Sequence, residues 1–278
     1  MTQKPQIFAD SIRSDPRSVL TPDEVNGRVQ SYLHVKARAG REALIIGGFT
    51  LYLHGSSAAG EISLVLPNHP DARLEPSALE RIKRIFARRE RVVCFQFLDG
   101  YAPGLTHALA AAGYQAQEAT PALICQPGQL RIPAAIPGLE VVTISADSPP
   151  EDVAENWNIN ALGFDPQATL MGPTDVQGFR KNLEKSRAFT ARFHGAGVGA
   201  GMYTDIIRGV TELVGITTLT EYRRRGIGGA LTAFATQTAF ADGADLAFLT
   251  AASEEAGRVY QRIGFRPAGS LLLLAKKI

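Results

Sequence analysis

The chain has 278 residues, 45% of them hydrophobic and 20% charged, with a formal net charge of +2 at pH 7. That length exceeds the roughly 100 to 200 residues of one domain and predicts two, while the balanced charge excludes the basic block or basic-aromatic stripe of a nucleic-acid binder. The two cysteines, Cys94 and Cys125, lie in apolar runs without CxxC spacing, which excludes a disulfide framework and reads as buried thiols in a reducing cytoplasm.

Met1 to Lys4 leads into polar residues, so neither a signal peptide nor a membrane anchor is expected. Thr21-Pro22-Asp23-Glu24 has the form of a helix start. Ala43 to His54 and Ile62 to Leu66 read as strands and Pro76 to Arg88 as a helix, with Arg81, Lys83, Arg84 and Arg88 on its solvated face. Val92 to Leu98 reads as a further strand, a second helix ends at Gly113-Tyr114, and Ala122 to Cys125 closes this half. Gln126 to Gly138 then holds three prolines and two glycines, which break both helical and strand periodicity. The expected organisation is therefore a unit at 1–126, a linker at 127–138 and a second unit at 139–278.

In the second unit Leu139 to Ile144 reads as a strand, and Pro150 to Ala161 and Phe179 to Lys185 as helices walling an acceptor side. Leu162 to Pro166 and Met171 to Pro173 read as loops between them. Arg187 to Phe193 and Ala196 to Tyr203 are the next expected strands, followed by the β-branched run from Gly209 to Leu219. A helix is expected from Ile227 to Phe240. The turn that joins these, Arg223-Arg224-Arg225-Gly226-Ile227-Gly228-Gly229, combines guanidinium groups with residues lacking a Cβ at a helix N-terminus. Such a turn is suited to a phosphate or pyrophosphate. Asp245 to Ala251 reads as a strand, Ser253 as the N-cap of a helix ending at Gly264-Phe265, and Leu271 to Leu274 as a buried terminal strand.

Leu231 stands where a dinucleotide fingerprint needs glycine, and no Lys-Ser or Lys-Thr pair completes a Walker loop. The spacing that does fit is Arg-x-x-Gly-x-Gly at Arg223, Gly226 and Gly228. It resembles the acyl-CoA pyrophosphate loop of the GNAT N-acetyltransferase superfamily. Ala256, Tyr260, Gly264 and Phe265 match the superfamily's downstream segment, with Ser253 in place of its usual Asn, and the resemblance covers roughly residues 139 to 278.

The resemblance implies an α/β (α+β) fold built on a mixed, mostly antiparallel sheet flanked by helices. It implies acetyl-CoA as acyl donor, held by Arg223, Arg224, Arg225, Gly226, Ile227, Gly228 and Gly229 and by the main chain of Ile216, Thr217 and Thr218, where their strand splays from its neighbour. Tyr260 corresponds to the general acid near the thioester sulfur. Ser253 either contacts the cofactor arm or only caps its helix. Glu212 is the odd residue in an apolar strand; alternation without a bulge puts it on one face with Val214, Ile216 and Thr218. It is either the base that deprotonates the amine, its pKa raised by desolvation, or a solvent-facing carboxylate.

Leu109 to Tyr114 repeats the order of Tyr260 to Phe265, with Leu109 in the place of Tyr260, and no Arg-x-x-Gly-x-Gly occurs in the first half. The chain therefore resembles a tandem GNAT protein of two such domains, the first degenerate; two unrelated α/β domains are the alternative. The first half then shapes the acceptor cleft or mediates homodimerisation. The expected activity is acetyl transfer to a small-molecule amine, with no metal, nucleic acid or membrane partner. The alternative is a non-catalytic acyl-CoA-binding or sensing protein. His54, His69, His107 and His194 are scattered without ligand spacing, and nothing in the sequence selects the acceptor.

Overall fold

The computed structural model describes residues 19–55 and 62–276; the amino-terminal Met1 to Lys4 segment lies outside them. The first half comprises α1 (Pro22–Arg38), β1 (Arg41–Ile46), β2 (Phe49–His54), β3 (Leu64–Pro67), α2 (Pro76–Ala87), β4 (Cys94–Leu98), α3 (Pro103–Ala111) and β5 (Gln115–Cys125). The second half comprises β6 (Leu139–Ile144), α4 (Pro150–Phe164), α5 (Gln177–Leu183), β7 (Arg187–Phe193), β8 (Ala196–Tyr203) and β9 (Val210–Thr218). It ends with α6 (Ile227–Ala241), β10 (Leu246–Thr250), α7 (Glu254–Arg262) and β11 (Arg266–Ala275).

Local chemistry accounts for several of these boundaries. Thr21 and Glu24 form a reciprocal capping box: the Glu24 N–H donates to Thr21 Oγ1 at 3.3 Å, and the Thr21 N–H donates to the Glu24 carboxylate at 2.8 Å. Pro22 occupies the first turn, where its missing N–H costs nothing. Two expectations are corrected. Ala43 to His54 is a hairpin rather than one strand, because Gly47 turns the chain at φ 55°. Leu162 to Phe164, expected as loop, continues α4.

The strands form one mixed, mostly antiparallel sheet in the order β1-β2-β3-β4-β11-β5-β10-β9-β8-β7-β6, flanked by helices. The parallel pairs are β3 with β4 and β9 with β10. Each is bridged by a helix and followed by a helix, a glycine at positive φ (Gly113 at 84°, Gly264 at 104°) and a long strand. The backbone repeats in detail: Tyr114 N–H donates to Leu109 O at 2.9 Å, and Phe265 N–H to Tyr260 O at 3.1 Å.

The final strands of the two halves are exchanged. β11 lies between β4 and β5, pairing Leu271 with Leu98 and with Thr120, while β5 pairs Leu123 with Leu249 of β10. One apolar core consequently spans both halves, joining Val29, Tyr32, Phe95 and Leu109 to Val210, Leu246, Phe248 and Leu274. A second core, with Leu213, Ala247, Leu249, Leu231 and Tyr260, lies on the face covered by α6 and α7. A third, with Val153, Phe179 and Ala188, lies under α4 and α5. The segment after β5 is packed rather than free: Arg131 N–H donates to Ile263 O at 2.9 Å, and Leu130 and Ile136 rest on the second core.

Candidate functional site

The parallel ladder between β9 and β10 runs through Val210 with Leu246, Thr211 with Ala247 and Glu212 with Phe248, and then stops. Because β9 continues to Thr218, an opening forms at the carboxyl ends of these two strands. Main-chain groups there are released from the ladder toward β10 and can meet a ligand arm.

On its other side β9 pairs Val214 with Met202, then Thr217 with Ala200, and the register shift between them is a bulge. Gly215, at φ 64°, makes it. The bulge overturns the simple alternation expected along this strand: Leu213 and Ile216 both pack on the core under α6, while Thr217 abuts Gly163 of α4 on the opposite side. Asn160 of α4 secures the bulge by donating from Nδ2 to the Gly215 carbonyl.

Glu212 lies before the bulge, two residues from Val210, on the sheet face covered by α1. It is half-buried, and desolvation pushes its carboxyl up to about 7 against the opposing pull of Lys36. Its main chain is held by Thr204, whose N–H and hydroxyl donate to Glu212 O at 2.9 and 3.3 Å. The raised carboxyl leaves Glu212 able to exchange a proton near neutrality.

Past β9, residues 220–222 make a short 3-10 turn, and Gly226, at φ 81°, precedes the first turn of α6. No side chain caps that helix, so the N–H groups of Ile227, Gly228 and Gly229 are available at its positive end. A Cβ on Gly228 would stand 3.6 Å from Thr218 Oγ1, which places the cradle against the end of β9. This donor set fits a pyrophosphate.

The three arginines differ in role. Arg223 donates from Nε to Thr218 O at 3.0 Å and from Nη2 to Gly163 O at 3.1 Å, lacing the end of β9 to the end of α4. Arg225 stacks over Tyr222 and Phe193, at 5.5 and 5.8 Å from the ring centroids. Arg224 is exposed at φ 59°.

Ser253 Oγ accepts from Ala256 N–H at 3.2 Å and thus caps α7. Tyr260 on that helix is 8% exposed in the core beneath α6 and α7. Burial raises its phenol pKa, so the hydroxyl keeps its proton at neutral pH. Glu212 and Tyr260 accordingly lie on opposite sides of the sheet, with the β9–β10 opening between them.

The matching end of β3 in the first half is closed by its own side chains. His34 Nε2 donates to Pro67 O at 2.9 Å while Tyr52 OH donates to His34 Nδ1, and Tyr101 OH donates to Asn68 O at 3.0 Å. Fully buried Leu109 stands where Tyr260 stands in the second half. Sequence reasoning did not single out Tyr32, Thr204 or Asn160. The available signal was the four-residue spacing of Arg28, Tyr32 and Lys36 along α1. Among the described residues no helix is long and apolar enough to cross a membrane, and no His, Cys, Asp or Glu group is arranged to hold a metal.

The sequence model of the Acetyltransferase (GNAT) family matches residues 156–265, which span α4 to α7. No curated protein matches the chain in sequence. Among solved structures the chain is similar to a GCN5-related N-acetyltransferase from Kribbella flavida, with 28% identity and TM-score 0.74 over 91% of this chain and 96% of that one. It also resembles a GCN5-related N-acetyltransferase from Sphaerobacter thermophilus, with 14% identity and TM-score 0.60 over 91% and 89% of the two chains. A tandem GNAT protein from the clavulanic acid biosynthesis pathway matches with 13% identity and TM-score 0.58 over 82% and 77%.

Proposed function

We infer, for a chain that belongs to the GNAT acetyltransferase superfamily, that residues 139–278 transfer an acetyl group from acetyl-CoA to the nitrogen of a small-molecule amine. The observation that carries this reading is Glu212, a carboxylate raised to about 7 at the last bonded pair before the β9–β10 opening. Acetyl-CoA supplies an activated thioester. The uncapped start of α6, with Gly226, Ile227, Gly228 and Gly229, would hold its pyrophosphate, and the main chain of Ile216 to Thr218 its pantetheine arm. Arg224 is the arginine of the loop free to add charge, while Arg223 braces the cradle.

Glu212 takes the proton that the amine loses as its nitrogen bonds the carbonyl carbon. Tyr260 gives a proton to the sulfur as the carbon–sulfur bond breaks, so positive charge does not build on the attacking nitrogen nor negative charge on the departing sulfur. Glu212 works deprotonated, so kcat/KM should rise with pH through about 7. The first half, its own opening closed by His34, Tyr52 and Tyr101, serves as a wall rather than as a second acetyl-CoA site.

Tyr260→Phe tests the assignment in a free-thiol release assay with acetyl-CoA and a panel of amines. The expected result is a loss of about a hundredfold in kcat with the KM for acetyl-CoA nearly unchanged. Unaltered turnover would remove Tyr260 from the role.

A further inference from the structure

The stripe of α1 formed by Arg28, Tyr32 and Lys36, one turn apart, reaches across to the second half at every step. Arg28 pairs with Asp245 and donates to Arg208 O at 3.2 Å. Tyr32, 1% exposed, bonds through its hydroxyl to Thr204 Oγ1 and packs edge-on against Phe248 at 5.2 Å. Phe248 is the residue opposite Glu212, and Thr204 is the residue that holds the Glu212 carbonyl. Lys36, with its side chain 39% exposed, lies 3.9 Å from Asp205, the neighbour of Thr204. The adjoining face of α1 serves its own half, where Gln30 accepts from Leu98 N–H and Leu33 enters the shared core.

We propose that α1 of the first half completes the second half's site, with Lys36 as a positioning residue for the Glu212 carboxylate. This rests on the reading of Glu212 as the base. The groups around that carboxylate leave Lys36 this task. α1 offers Tyr32 and Lys36, and the segment after β8 offers Thr204 and Asp205. β10 offers apolar Leu246 and Phe248, and α4 offers the uncharged Asn160, committed to Gly215. Arg28 and Asp245 neutralise each other at the start of β10. Lys36 is the cation acting on Glu212, and Asp205 competes for it. A cation near a desolvated carboxylate favours its anionic form, and Asp205, by pairing with Lys36, weakens that pull. That cation comes from the first half.

The test is the titration of the Glu212 side chain in the full chain, followed by carbon-detected NMR on 13C-glutamate protein and assigned by the signal lost in Glu212→Gln. Lys36→Met should move the midpoint upward by about half a unit. Asp205→Asn, which frees Lys36, should move it downward, and Lys36→Arg should keep the parent value. Shifts of opposite sign separate electrostatics from structural damage, which has no reason to follow charge. A midpoint unmoved by Lys36→Met overturns the proposal. Failure of the base reading shows separately, as undiminished acetyl transfer by Glu212→Gln.

Discussion

Glu212 carries a cost to the fold. Its folded carboxyl titrates near 7 against an ordinary value of 4.5, so between those values the native state keeps a proton that the unfolded chain has released. Stability should therefore be highest below about pH 4.5 for this group, fall as pH rises toward 7, and stay reduced above it by at most about 3 kcal/mol. Glu212→Gln should raise Tm at pH 8 and flatten its dependence from pH 4.5 to 7, as read by calorimetry; a pH dependence identical to the parent's would contradict the burial argument. This residue was legible in the sequence because a carboxylate interrupts an apolar strand. Tyr32 and Lys36 were not, because their importance arises from packing against Thr204 and Asp205, which are remote in sequence. The three arginines were legible as charge, but the bonds from Arg223 to Thr218 and Gly163 depend on where α4 ends.

At the scale of elements, the geometry of the proposed donor site turns on the bulge of β9. Gly215 holds φ 64° there, and a Cβ would press on Asn160 Nδ2 at 2.7 Å. Gly215→Ala should cost about 1 to 3 kcal/mol by denaturant unfolding and raise the KM for acetyl-CoA more than it lowers kcat. An unchanged KM would mean that the bulge does not shape the donor site. Strand periodicity placed β6, β7 and β8 correctly, since their apolar runs are bounded by turn residues. It failed at Gly47 and Gly215, where a single glycine reverses or shifts a β-branched run without interrupting its hydrophobicity. The capping residues Thr21 and Ser253 were readable because their hydrogen bonds are local.

For the whole molecule, the exchange of β5 and β11 joins the halves through strand pairing and a shared core as well as through the chain. Residues 139–278 expressed alone would present β10 and β11 with their β5-facing edges unpaired and Leu272 and Leu274 uncovered. They should aggregate, whereas a fragment from residue 115, which carries β5, should be more soluble; size-exclusion chromatography of the two fragments decides this. A monomeric, folded 139–278 fragment would show that the exchange is dispensable. The repeat of helix, glycine and aromatic residue was legible in the sequence, but the exchange was not. Leu271 to Leu274 reads as a buried strand wherever it pairs, and only the assembled sheet selects β4 and β5 as its neighbours.

The exchange also sets the timing of the fold during synthesis. β5 is made about 140 residues before β11, an interval on the order of ten seconds at ribosomal speed. Throughout that interval the slot between β4 and β5 has no occupant from the chain already made. The first half, which has no Arg-x-x-Gly-x-Gly turn, must wait in a partly built state with two strand edges exposed. The ten residues of β11 are the piece that fills the slot and covers both edges.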